Sequence, residues 1–145
     1  MFRVTKFGEY GIRGILHLAE SNGNSDKPCL LKDIAKAEDI PEKFLAKIFQ
    51  NLARTGIVIS KRGSRGGFML GKPLDEVTVL EMLEVLEGPI YLNVCLIRKG
   101  YCPRDETCTV HPVWVEAQAE LKKVLKKYTL KDLLKTRKSS KEKKG

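Results

Sequence analysis

The chain has 145 residues, 42% hydrophobic and 31% charged, which suits one soluble domain with an appended element and excludes a wholly disordered chain. No apolar run reaches the ~18 residues that span a bilayer, and the N-terminus lacks the apolar core of a secretory signal, so a cytoplasmic protein with no membrane partner is expected. The net charge of +9 is uneven: residues 40–74 carry +6 and residues 131–145 carry +5, and such blocks suit a polyanion, nucleic acid above all.

Residues 5–20 read as a helix with a broad apolar face, from Phe7, Tyr10, Gly11, Gly14, Ile15 and Leu18. Thr5 is the candidate cap, and the polar run 21–28 reads as a loop. A short helix then starts at Leu31 and ends near Ala37. Ile40-Pro41 opens a second, with Leu45, Ile48, Phe49 and Leu52 at i, i+3, i+4 and i+7, closed by Gly56. Its outer face carries Lys43, Lys47, Gln50, Asn51 and Arg54.

Two β-prone runs, Ile57–Arg62 and Phe68–Leu70, flank the turn Gly63-Ser64-Arg65-Gly66-Gly67 and read as a hairpin. Lys61, Arg62 and Arg65 lie at or near its tip. Helix, turn, helix and basic-tipped hairpin is the order of a winged helix-turn-helix, whose second helix enters the major groove of double-stranded DNA. Lys43, Lys47, Gln50 and Arg54 are the candidate groove contacts, and the hairpin residues are candidates for the backbone or minor groove.

Thr78 and Glu81 form a capping-box pattern that starts a helix, and Gly88-Pro89 stops it. His111-Pro112 opens a long helix whose stripe of Trp114, Ala117, Leu121, Val124, Leu125 and Tyr128 suits pairing with a second copy, with packing inside the chain as the simpler alternative. Thr129–Asp132 begins a short final helix, and the Lys/Ser-rich end from Arg137 is expected to be disordered.

Between these helices lies Cys95-x6-Cys102-x5-Cys108-x2-His111, three cysteines within fourteen residues of mostly polar sequence. Disulfides are improbable in a reducing compartment, and thiolates suit zinc or an iron–sulfur cluster. Structural zinc favours close Cys-x2–4-Cys hooks, which are absent here, so the spacing tilts towards a cluster. His111 and Glu9, the latter reaching from a partner subunit, are both candidate further ligands. Cys29, alone between Pro28 and Leu30, reads as a small buried residue, and His17 as a core histidine. No phosphate loop, nucleophile elbow or paired-carboxylate motif suggests an enzyme.

The sequence resembles the Rrf-two family of bacterial transcription regulators, the group that contains the IscR- and NsrR-type iron–sulfur sensors. The resemblance covers about residues 1–135. It rests on Val4–Tyr10, Leu31–Ala35, Ile40–Leu45, Leu52–Val58, Lys61–Leu70 and the three-cysteine loop. It implies a dimeric winged-helix regulator with a cluster near the dimerisation helix, whose state changes operator affinity in response to cluster status, nitric oxide or redox state. IscR-type members hold a two-iron two-sulfur cluster through three cysteines and a histidine, matched by His111. NsrR-type members hold a four-iron four-sulfur cluster with a carboxylate from the partner's first helix, matched by Glu9 as glutamate instead of aspartate. The two-iron form with His111 is slightly favoured. The first cysteine spacing is one residue longer than in the common sensors, and Ala46 and Lys47 differ from the IscR type, so its operator does not carry over.

The expected architecture is mainly α with a small β-hairpin wing. Residues 1–88 form the winged helix-turn-helix domain, 89–110 the cysteine loop, 111–136 the dimerisation helix and a short C-terminal helix, and 137–145 a basic disordered tail. A zinc-binding winged-helix regulator is the nearest alternative. An iron–sulfur electron carrier or cluster donor is the alternative of a different class, and it leaves the +6 block unexplained.

Overall fold

The computed structural model describes residues 2–24, 27–63, 66–104 and 106–144. Its elements in chain order are α1 (Lys6–Asn24), α2 (Leu31–Glu38), α3 (Glu42–Arg54), β1 (Val58–Lys61), β2 (Gly67–Leu70), α4 (Val79–Glu87), α5 (His111–Lys127) and α6 (Leu130–Lys144). Short 3-10 turns at Leu74–Glu76 and Val94–Leu96 connect them. The architecture is mainly α with a two-stranded antiparallel wing, as the sequence predicts. No helix among the described residues is long and apolar enough to cross a membrane.

The core forms where α1, α3, α4 and α6 converge. Ile15, Leu18, Leu45, Ile48, Phe49, Leu52, Met82 and Leu130 are all fully buried. The apolar spacing of α3 puts its four core residues on one side. Burying each such side chain is worth roughly 1.5–3 kcal/mol before entropy is counted. Close packing of α1 depends on Gly14, where a Cβ would stand 2.9 Å from Leu45 Cδ1 and 3.1 Å from Phe49 Cε1.

The corner between α2 and α3 is sharp. Asp39 takes a left-handed conformation (φ 53°), which its short polar side chain tolerates better than a bulky one, and Ile40 N donates to the Ala35 carbonyl at 2.9 Å. Pro41 stands at the N-cap of α3, one residue before the helical position expected for it.

In the wing, Val58 pairs with Leu70 and Lys61 with Gly67. Cys29 joins the wing by a reciprocal bridge: Cys29 N donates to Phe68 O at 2.9 Å and Phe68 N to Cys29 O at 2.8 Å. Gly67 has φ 150°, and a Cβ there would collide with the Cys29 carbonyl oxygen at 2.3 Å, so glycine is required.

Of the three capping signals the two later ones form, whereas the Thr5 hydroxyl donates to the Glu87 carboxylate at 2.8 Å. Glu81 N donates to Thr78 Oγ1 at 3.0 Å, while the Glu81 carboxylate accepts from Lys72 Nζ at 2.7 Å instead of reaching back. At α6 the box is reciprocal: Thr129 N donates to Asp132 Oδ2 at 2.9 Å, and Asp132 N to Thr129 Oγ1 at 3.4 Å. These bonds from Thr129 hold the Asp132 carboxyl below the usual carboxylate range.

Two expectations are corrected. α1 continues to Asn24, past the loop expected from residue 21. The stretch expected to be disordered from Arg137 is helical through Lys144. Its physical reason lies in long-range ion pairs that composition does not show. Leu130 and Leu134 are buried, Arg137 Nη2 lies 2.6 Å from Glu38 Oε1, and Lys141 Nζ lies 3.0 Å from Glu20 Oε2. Gly145 lies outside the described residues.

Candidate functional site

Two surfaces concern function: the outer face of α3 with the wing, and the loop that leads into α5. On α3, the buried stripe of Leu45, Ile48, Phe49 and Leu52 turns Lys43, Lys47, Gln50 and Arg54 to solvent, and all four are exposed. Lys61 and Arg62 are exposed at the end of β1. Arg65, the other wing arginine of the sequence reading, lies outside the described residues. The result is a helix with a cationic, hydrogen-bonding outer face beside a basic hairpin, a shape and charge that fit a duplex groove and its flanking phosphates.

Sequence reasoning missed one part of this face. Phe44, in the first turn of α3, is 51% exposed. Its ring meets Tyr10 of α1 with centroids 6.1 Å apart, and Lys6 and Arg13 lie 5.8 and 5.5 Å from the Tyr10 ring. An apolar residue outside the core stripe was the available signal.

Behind the helix-turn-helix corner, Glu38 is nearly enclosed. Its carboxylate accepts from Arg137 Nη2 at 2.6 and 2.7 Å and lies 3.1 Å from His17 Nδ1, while Arg13 donates to the Glu38 carbonyl. Burial pushes the Glu38 carboxyl up, but hydrogen bonds from Arg137 and His17, reinforced by their charge, outweigh it and hold the group below the usual glutamate range. His17, expected in the core, is a half-buried partner in this network.

In the loop, Cys95 sits in the Val94–Leu96 turn, and Cys95, Cys102 and Cys108 are all half-buried. His111 opens α5 with its Nδ1 buried. Cys95 and His111 line one hollow of about 490 Å³ together with Leu96, Arg98, Lys99 and Glu106. Cys102 lines an adjoining one of about 390 Å³ that shares Lys99 and Glu106. Glu9 lies on α1, exposed, and pairs with Lys6 at 3.1 Å and Arg13 at 3.4 Å on its own helix. Cys29 is half-buried and packs against the core.

The donor chemistry of the loop suits a soft metal or an iron–sulfur cluster. The geometry does not: among the described residues no three His, Cys, Asp or Glu side chains gather as a metal site. Of the expected ligands, the structure brings Cys95 and His111 to one hollow and leaves Cys102 beside it.

α5 itself has no buried residue. Ala117, Leu121 and Leu125 are half-buried, whereas Val113, Trp114, Val124 and Tyr128 are 55%, 37%, 52% and 45% exposed. The stripe seen in the sequence is therefore only partly covered within the chain.

Comparison with known proteins adds to this geometry. Residues 4–136 match the Rrf2 family, described as an iron-dependent transcriptional regulator. The HTH-type transcriptional regulator CymR of Bacillus subtilis is 32% identical over 131 residues, covering 90% of this chain and 88% of that one. Among solved structures, T. potens IscR superposes with TM-score 0.75 at 27% identity, covering 96% of this chain and 90% of that one. The structure of CymR, the global cysteine regulator of B. subtilis, superposes with TM-score 0.74 at 30% identity, covering 94% and 98%.

Proposed function

Because the chain belongs to the Rrf2 family of transcriptional regulators, which bind DNA through a winged helix, we propose that it binds its operator as a homodimer under control of the Cys95–His111 loop. The observation that carries this reading is α5. It is a seventeen-residue helix with no buried side chain, joined directly to the cysteine loop. Val113, Trp114, Val124 and Tyr128 supply an exposed apolar ridge for a second copy to cover. Lys43, Lys47, Gln50 and Arg54 then belong to a reading helix presented twice, and Lys61, Arg62 and Arg65 to two wings.

The controlling group in this proposal is an iron–sulfur cluster, with the two-iron two-sulfur form favoured, held by Cys95, Cys102 and Cys108. Its support is the donor set and the family's description as iron-dependent. His111 is preferred as the further ligand because it shares a hollow with Cys95, whereas Glu9 is paired on its own helix. Holding a cluster requires the loop to close from its present conformation.

A second reading is favoured by that same open loop: regulation through thiols with no metal. One relative is itself named a cysteine regulator. Anaerobic purification of the full chain, with visible spectrum and iron, zinc and acid-labile sulfide counts, separates the readings. A brown protein with iron and sulfide supports the cluster. A colourless protein after anaerobic reconstitution overturns it: about one zinc per chain favours zinc, and metal-free protein whose operator binding responds to thiol reagents favours the second reading.

A further inference from the structure

The exposed aromatic on α3 carries an inference about what the reading helix reads. It rests on the DNA-binding reading and adds a base. Phe44 stands in the first turn of α3, and the N-terminal part of a recognition helix is the part that reaches base edges. Its ring is half-exposed but braced by Tyr10. Leu31, Pro41 and Ala46 extend the apolar surface around a shallow hollow of about 530 Å³. Cations outnumber anions around it: Lys43 and Glu42 share the hollow, Lys47 is exposed one turn on, and Lys6 and Arg13 flank the Tyr10 ring while pairing with Glu9.

An apolar spot whose rim carries a net excess of cations suits an occupant that is anionic overall and locally apolar. Duplex DNA meets both requirements, because the floor of its major groove offers one apolar group, the 5-methyl of thymine, between two rows of phosphates. Lys47 and Gln50 serve hydrogen-bonding edges, and Phe44 can serve none. We propose that Phe44, braced by Tyr10, packs on a thymine methyl in each operator half-site and fixes thymine at that position.

The test uses the full chain and an operator selected from a random duplex library. Each thymine is replaced in turn by deoxyuridine, which keeps every hydrogen-bonding group and removes only the methyl. The expected result is one thymine per half-site whose replacement weakens binding about fourfold, the effect of one buried methyl-sized group. Phe44→Ala should bind the two duplexes equally, and Phe44→Leu, which keeps apolar contact, should retain most of the discrimination. Thermal melting of both variants checks that the fold is intact.

Salt-dependent operator binding with no uracil effect at any position overturns the role of Phe44 and leaves DNA binding standing. So does a Phe44→Ala protein that still discriminates. Absence of salt-dependent binding to any duplex overturns the DNA reading and this inference together. Self-association without DNA that Phe44→Ala abolishes would assign the patch to a second copy and overturn it as well.

Discussion

The body built from α1 to α4 with α6 and the segment formed by the cysteine loop with α5 are opposite in construction. Among the described residues the first contains thirteen hydrophobic side chains buried completely, from Ile15 to Leu130. The second runs for more than thirty residues, and Ile90 at its start is nearly its whole buried content. The body therefore holds nearly all of the buried interior, while the loop and α5 have little of their own, and the proposed second copy or bound group would stabilise them by mass action. The proposed regulation would then act on the part of the chain with least buried interior, where a ligand shifts most at least cost.

The sharpest way to break this contrast is to remove one large side chain from each region. Phe49→Ala empties a fully buried site and should cost about 3–5 kcal/mol in urea unfolding. Trp114→Ala should leave unfolding of the dilute chain nearly unchanged and raise the dimer dissociation constant in sedimentation. Equal losses of stability would show that α5 belongs to the body.

The next test concerns the strap from α6. Arg137→Met removes both charged hydrogen bonds to Glu38 and should cost about 1.5–3 kcal/mol. It should also reshape the acid limb. The Glu38 carboxyl is lowered on folding, so its contribution is complete above the ordinary value of 4.5 and is lost as pH falls through the folded value. A stability profile measured down through that range should fall less steeply in Arg137→Met than in the native chain. Parallel profiles would mean that Arg137 does not set the Glu38 titration.

Contacts on the body's outer face should separate function from folding. Lys47→Ala should cost on the order of 1–3 kcal/mol at the base it reads and blur discrimination there. Arg62→Ala should weaken all sequences alike and lower the salt slope by ~1. Binding titrations over a salt series distinguish them, and neither change should move the melting temperature. The smallest effect is expected in the loop: Cys102→Ala should shift the stability of metal-free protein by less than ~0.5 kcal/mol while abolishing cluster assembly in reconstitution.

Much of the body is legible in the sequence because its signals are local. The i, i+3, i+4, i+7 series of α3 fixes both the buried stripe and, by exclusion, the exposed Lys43, Lys47, Gln50 and Arg54. The Thr78–Glu81 and Thr129–Asp132 patterns fix two helix starts. The turn glycines announce the wing. Apart from Phe44 and the last turn of α1, what escaped detection is long-range. Arg137 meets Glu38 across 99 residues, and no composition rule distinguishes such an arginine from one in a solvated tail. The bridge from Cys29 to Phe68 is equally silent, because one residue of ladder leaves no alternation to read. In the loop, spacing marks Cys95, Cys102 and Cys108 as a set, but a segment without periodicity does not encode how near they stand to one another.

The Cys29 bridge has a metrical consequence. Because that residue bonds both ways with Phe68, the wing is fastened to the lead-in of α2 as well as to its own strand ends. α2 is in turn fixed to α3 by the Asp39 corner. Hairpin and α3 thus form a calliper of set span, and if α3 reads bases while the wing grips the backbone, as proposed, the number of base pairs between the two contacts is set by the fold. Inserting one base pair between those two positions should be tolerated far worse than altering the base itself.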